Sequence, residues 1–210
     1  MTTVRNILAF TLFITAFGAQ ALEEPDYEVV AEYERIEYRK YAPYLVAETL
    51  MPKDQGRNKA MNAGFRRLFN YITGDNVSAT KIEMTAPVEQ QVVSQKIDMT
   101  APVQQQTTAE GWTVAFVVPK SFDIENVPQP TNEQVYIREV PEQLRAVLKF
   151  SGRWSKRNVD RHRAELTEAL ETTNVSTIGE PMVAFYNSPF SLPFMRRNEV
   201  MVVVESTPSD

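Results

Sequence analysis

The chain contains no cysteine. That excludes a disulfide framework, a thiolate nucleophile, an iron–sulfur cluster and a cysteine-ligated zinc. It contains a single histidine, His162, which excludes every site that needs two, such as a three-histidine zinc or a two-histidine facial triad. Glycine is scarce, with seven in 210 residues, and neither a Gly-rich phosphate loop nor a G-x-S-x-G elbow occurs. Basic residues are outnumbered, 22 against 27 acidic, so a general nucleic-acid binder is not expected. Apolar content is ordinary at 43%. That is too much for a disordered chain and enough for one globular core.

Residues 1–6 carry Arg5 and no acid, Ile7 to Phe17 form an apolar run, and Ala19-Gln20-Ala21 fits a small-residue cleavage site. This pattern predicts a secretory signal peptide over 1–21. The run falls short of the about 20 residues that a membrane span wants. The mature chain would start at Leu22 as a single domain over 22–210. Its expected location is the periplasm, with no stable membrane insertion after cleavage. No cysteine follows the site, so a lipoprotein anchor is excluded. An exported chain without disulfides must be held by its core.

Tyr27 to Tyr41 is rich in Tyr, Val and Ile and predicts one strand, with a second from Tyr44 to Met51 after Ala42-Pro43. Asn58 to Ile72 predicts a helix, because Met61, Phe65, Leu68 and Ile72 recur on one helical face, and Gly74 marks its end. Strands are expected at about 81–91, 96–106 and 112–119, then from Val135 to Val140 and Leu144 to Phe150. Ser155 can cap a helix running to about Thr172. Met182 to Tyr186 and Glu199 to Glu205 close the chain. Arg39, Leu45 and Ala47 have the spacing of Arg138, Leu144 and Ala146, offset by 99 residues. Element order and this match suggest two similar strand-strand-helix-strand halves, about 27–120 and 134–205. The expected class is α+β, a distorted antiparallel β-barrel flanked by two helices.

A shorter repeat is unambiguous. Lys81-Ile82-Glu83-Met84-Thr85-Ala86-Pro87-Val88 recurs as Lys96-Ile97-Asp98-Met99-Thr100-Ala101-Pro102-Val103. Ile, Met, Ala and Val alternate, so in a strand they share a face, and the spacing suits a hairpin of two such arms. Pro87 and Pro102 belong at an edge, a bulge or a strand end. The thioethers of Met84 and Met99 either pack in the core or touch a metal or tetrapyrrole.

This doubled M-T-A-P-V motif resembles the signature of the SOUL family of haem-binding proteins. Other landmarks fit in order: Tyr38-Arg39-Lys40-Tyr41, Phe65-Arg66-Arg67-Leu68, W-x-V-x-F-x-x-P from Trp112 to Pro119, Phe150-Ser151-Gly152, and Arg196-Arg197-Asn198-Glu199-Val200. The resemblance spans about 27–205. It implies a barrel of two similar halves with two helices, and binding of haem or a related tetrapyrrole in a shallow apolar cleft along a helix.

A porphyrin needs a flat apolar surface, cations for two propionates and optionally an axial ligand. The first helix offers Met61, Phe65, Leu68, Phe69 and Ile72, with Arg57, Lys59, Arg66 and Arg67 beside them; arginine suits carboxylates through its planar fork. The same stripe is what any amphipathic helix turns to its core. His162 is the one imidazole available to iron, and Arg161 and Arg163 flank it. It lies between Val159 and Leu166 at helical spacing, which equally suits a half-buried helix residue. Arg196-Arg197-Asn198 either binds an anion or ties its loop to the sheet.

The expected function is therefore reversible binding of haem or another porphyrin, as carrier, buffer or sensor, without catalysis. Another small hydrophobic or amphipathic ligand on an effector-binding-like fold is the alternative, and a haem-modifying enzyme a more distant one.

Overall fold

A computed structural model describes residues 22–78, 94–188 and 190–208. The segment 1–21, the first M-T-A-P-V copy and the strand expected at 81–91 lie outside the described residues. The elements in chain order are β1 (Tyr27–Tyr33), β2 (Ile36–Tyr41), β3 (Tyr44–Pro52), α1 (Arg57–Thr73), β4 (Asn76–Val77), β5 (Val103–Thr107) and β6 (Gly111–Val117). There follow β7 (Gln129–Pro130), β8 (Tyr136–Val140), β9 (Gln143–Phe150), α2 (Lys156–Thr172), β10 (Thr177–Phe185) and β11 (Asn198–Val204).

Nine strands form one strongly curled antiparallel sheet in the order β1-β2-β9-β11-β10-β5-β6-β3-β8, and β4 pairs with β7 apart from it. This is the expected α+β distorted barrel with two helices. From its β8 end the sheet runs β8-β3-β6-β5; from β2 it runs β2-β9-β11-β10. The two runs meet where β5 pairs with β10. Each helix follows the second strand of a run, and α1 and α2 are both 17 residues long.

Period-two alternation sorts the side chains onto two faces. On one face, α1 packs over Ala47, Val114 and Phe116, and α2 over Ala146, Leu148 and Val200. The alternate positions, among them Arg39, Arg145, Val147, Glu199 and Met201, fill the opposite face. Among the described residues, no helix is long and apolar enough to cross a membrane.

Two strand expectations are corrected. Tyr27 to Tyr41 is a hairpin rather than one strand: the chain reverses at Glu34-Arg35, and Glu34 takes a left-handed φ of 52°. No glycine, proline or asparagine announces that turn. The expected strand 96–106 is regular only from Val103, because Pro102 has no N–H to give a ladder. Before it, Ile97 and Ala101 are buried whereas Met99 is exposed, so this copy does not present a single apolar stripe.

Candidate functional site

Helix α1 follows Gly56 and ends at Gly74, whose φ of 140° suits glycine and whose N–H returns to the carbonyls of Asn70 and Tyr71. Ala60, Gly64, Leu68 and Tyr71 make the buried stripe with Arg57 and Ile72. A Cβ on Gly64 would stand 2.7 Å from Val114 Cγ2, so the helix lies directly against β6 there. The small residues take the closest approach, and the large ones sit to the side.

This divides the sequence-derived site. Leu68 is fully buried and Ile72 nearly so; both are core. Met61 and Phe65 are half-buried on one flank. Met61 packs against the α2 core, and Phe65 meets Phe116 edge-on at 5.1 Å. Phe69, 42% exposed, stacks on Phe65 with centroids 6.1 Å apart and planes within 13°. Arg66 is exposed next to Phe69. Arg67 falls on the opposite flank, two residues or about 200° round the helix from Phe65. Its Nη1 donates to Thr49 Oγ1 at 2.6 Å and to Met51 Sδ on β3. The structure thus gathers Met61, Phe65, Phe69 and Arg66, and separates Leu68, Ile72 and Arg67 from them. Gly64 and Ala60 set this arrangement; a search for large apolar residues passes over them.

Helix α2 starts as its sequence predicts, with the Ser155 side chain accepting from the Asn158 N–H. His162 is 6% exposed. Its ring stacks on Phe150 at 4.2 Å between centroids, and Nδ1 lies 2.7 Å from the carbonyl oxygen of Asn158, one turn back. A neutral ring donates there from Nδ1 and keeps its lone pair on Nε2. Among the described residues, no group of three or more His, Asp or Glu is placed to hold a metal ion.

The opposite face carries a charge network. Arg39 donates from both terminal nitrogens to Glu199, at 3.0 and 3.1 Å, and both residues are fully buried. Arg39 also donates to Tyr41 and Glu37, and Tyr186 donates to Glu199 at 2.6 Å. Arg197 bonds Glu199 and Glu24 and lies 3.8 Å over the Tyr186 ring. Arg145 stacks on Tyr41 and Tyr44 and donates to the Tyr44 hydroxyl. Burial pushes Tyr41 up to about 12 against the pull of Arg39, and burial with the Glu199 charge pushes Tyr186 well up, so both stay neutral, Tyr41 accepting from Arg39 and Tyr186 donating to Glu199. The Arg-Asn-Glu segment and the Tyr-Arg-Lys-Tyr segment therefore meet as a brace inside the fold. Arg197 ties its loop to the sheet.

A cavity of about 380 Å³ opens near β3 and the N-terminal segment. Glu23, Glu24, Asp26, Asp123 and Glu139 line it against Lys120, which already pairs with Asp26. Five carboxylates facing one committed cation repel an anionic ligand, so this cavity does not suit a propionate-bearing molecule.

The family model described as SOUL heme-binding protein matches residues 22–203. Heme-binding protein 2 of Mus musculus is 28% identical over 195 residues, 90% of each chain. Heme-binding protein 2 of Homo sapiens is 28% identical over 197 residues, 91% of each. Among solved structures, the EcmrR C-terminal domain matches with a TM-score of 0.57 at 10% identity, over 86% of this chain and 99% of that one. A hydrolase from Listeria innocua matches at 0.51 and 12%, over 84% and 94%. At such identities these two structures speak for the fold alone. The family match, by contrast, covers almost the whole described chain, and the chain belongs to the SOUL family of haem-binding proteins.

Proposed function

We propose that the chain binds haem or a related tetrapyrrole reversibly against the Met61–Phe65–Phe69 flank of α1, with Arg66 at the rim. Family membership supports the ligand class. The observation that carries the site is the near-parallel Phe65–Phe69 pair, one ring of which stands 42% exposed on a helix whose core stripe is already filled. Open aromatic surface is a surface to be covered, and a flat conjugated ring covers it by offset stacking. Arg66, exposed beside them on the helix, supplies a charge for one carboxylate.

Bound haem would bring an iron centre, and the proposal asks no bond of His162. His162 is 6% exposed and its ring packs on Phe150 within the α2 core, away from the open Phe69 surface. Holding by apolar contact and edge charges favours exchange, the common requirement of carrying, buffering and sensing. The binding role needs no catalytic group, and none is proposed. The leader pattern over 1–21 supports export to the periplasm.

The test is an absorbance titration of hemin into purified 22–210. A saturable Soret shift at one equivalent is expected. A linear rise without saturation overturns the proposal. Phe69→Ser should weaken binding about tenfold, on the order of 1.4 kcal/mol, and His162→Ala should leave the Soret band unchanged.

A further inference from the structure

Where β5 meets β10, one position is polar between apolar neighbours. Gln105 pairs with Val114 on β6 and Val183 on β10; the first belongs to the α1 core and the second to the α2 core. Its neighbour Gln104 donates to Tyr44 on the opposite face, so Gln105, 1% exposed, points toward the helices. Gln105 Oε1 accepts from Arg57 Nε at 3.1 Å. Arg57 opens α1 and is 9% exposed. Arg163 of α2 lies near enough for its charge to act on Arg57.

Four nitrogens in this cluster are buried without a hydrogen-bond partner among the described residues: Arg57 Nη1, Gln105 Nε2, and Arg163 Nε and Nη2. All four are donors. Leaving one buried donor unmade is expensive, and a buried charge more so. Two carboxylates act on them: Asp160, which acts on both arginines but is bonded to Lys156, and Glu180, which acts on Arg163. Burial and the like charge of Arg163 hold Arg57 below the ordinary arginine value, and burial does the same to Arg163. A water molecule could accept from these donors but would add no negative charge beside the two arginines. A carboxylate brings acceptor oxygens and negative charge together.

We propose that Arg57, Gln105 and Arg163 form a carboxylate-binding site at the seam between the two helices. Met61, one turn after Arg57, connects it to the aromatic flank. Two sources share the chemistry: a tetrapyrrole propionate and a small free carboxylate. Assignment to the propionate rests on the function proposed above; the site itself does not.

The experiment follows the arginine Nε–Hε resonances of ¹⁵N-labelled 22–210, with the Arg163 signal identified by its loss in Arg163→Gln. The backbone spectrum of that variant checks that it is folded. Sodium propionate should shift the signal saturably, and sodium chloride at equal ionic strength should not. Gallium protoporphyrin should shift the same signal, and its dimethyl ester should not. Arg163→Gln should weaken gallium protoporphyrin binding at least tenfold. If propionate acts and the porphyrin does not, the site stands and the propionate assignment falls. If chloride acts as well as propionate, the seam holds an adventitious ion only and the carboxylate proposal is overturned. If the porphyrin binds while neither it nor propionate moves the signal, the site is overturned and the function is not.

Discussion

Arg39 and Arg57 are both buried arginines, and they stand on opposite faces of one sheet. Arg39 is met in full: a two-pronged bond to Glu199, further bonds to Glu37 and Tyr41, and the Tyr27 ring 4.3 Å from its guanidinium. Arg57 has one bond, to an uncharged amide, and a second arginine for a neighbour. Burial costs either charge several kcal/mol. On the Arg39 face, charge-assisted bonds offset that cost inside the chain. At the helix seam, among the described residues, no carboxylate bonds Arg57 or Arg163, and Asp160, whose charge acts on both, is bonded to Lys156. The difference teaches which buried charges build a fold and which wait for something from outside.

The largest effect should come from breaking the completed network. Glu199→Leu takes the two-pronged partner from Arg39, leaving it Glu37 and Tyr41, and leaves Arg197 with Glu24, and should destabilise by about 3–5 kcal/mol in urea unfolding. A loss under about 1 kcal/mol would mean that this face is no more self-sufficient than the seam. Next is the closeness of α1 to its sheet. Gly64→Val puts atoms where Val114 Cγ2 already lies 2.7 Å from a Cβ, and should cost about 1–3 kcal/mol while lifting Phe65 and Phe69 out of register. Thermal unfolding together with hemin affinity checks both.

Much of this was legible in the sequence. The two helices announced themselves through Met61-Phe65-Leu68-Ile72 spacing, Gly74 and the Ser155 cap, since each signal acts within a turn or two. The hairpin at Glu34-Arg35 was not legible, because its turn carries ordinary residues. The site was half legible. Periodicity gives a helix's apolar side but not the angle at which it meets the sheet, and Gly64 and Ala60 rotate Leu68 and Ile72 inward while Phe65 and Phe69 stay at the edge. Gln105 gave no signal at all. Its meaning comes from Arg57, 48 residues earlier, which bonds it, and from Arg163, whose charge acts on Arg57.

Proton linkage sharpens the comparison with smaller effects. Tyr41 sits at about 12, above its ordinary value of 10.0. A raised folded value means its contribution is present in full below about 10 and is lost as pH rises toward 12. Alkaline unfolding in that window, softened by Tyr41→Phe, is expected by circular dichroism. The smallest effect belongs to the rim. Glu37 is pushed up by partial burial but held below the ordinary carboxylate value overall by bonds from Lys149 and Arg39. Its stabilisation is present above the unfolded value and fades as pH falls through the folded one. Glu37→Gln should therefore cost only about 0.2–1 kcal/mol at neutral pH and less in acid.

The most direct test sets two matched substitutions side by side in ligand-free protein, by chemical denaturation of Arg39→Met and Arg163→Met. Arg39→Met should lower stability by about 3–5 kcal/mol, because it leaves Glu199 a buried carboxylate short of its main partner. Arg163→Met should leave stability unchanged or raise it, because it removes buried donors that no described residue satisfies. A loss at Arg163 as large as the loss at Arg39 would contradict the account: the seam arginine would then be another brace, and no ligand would be needed to explain it.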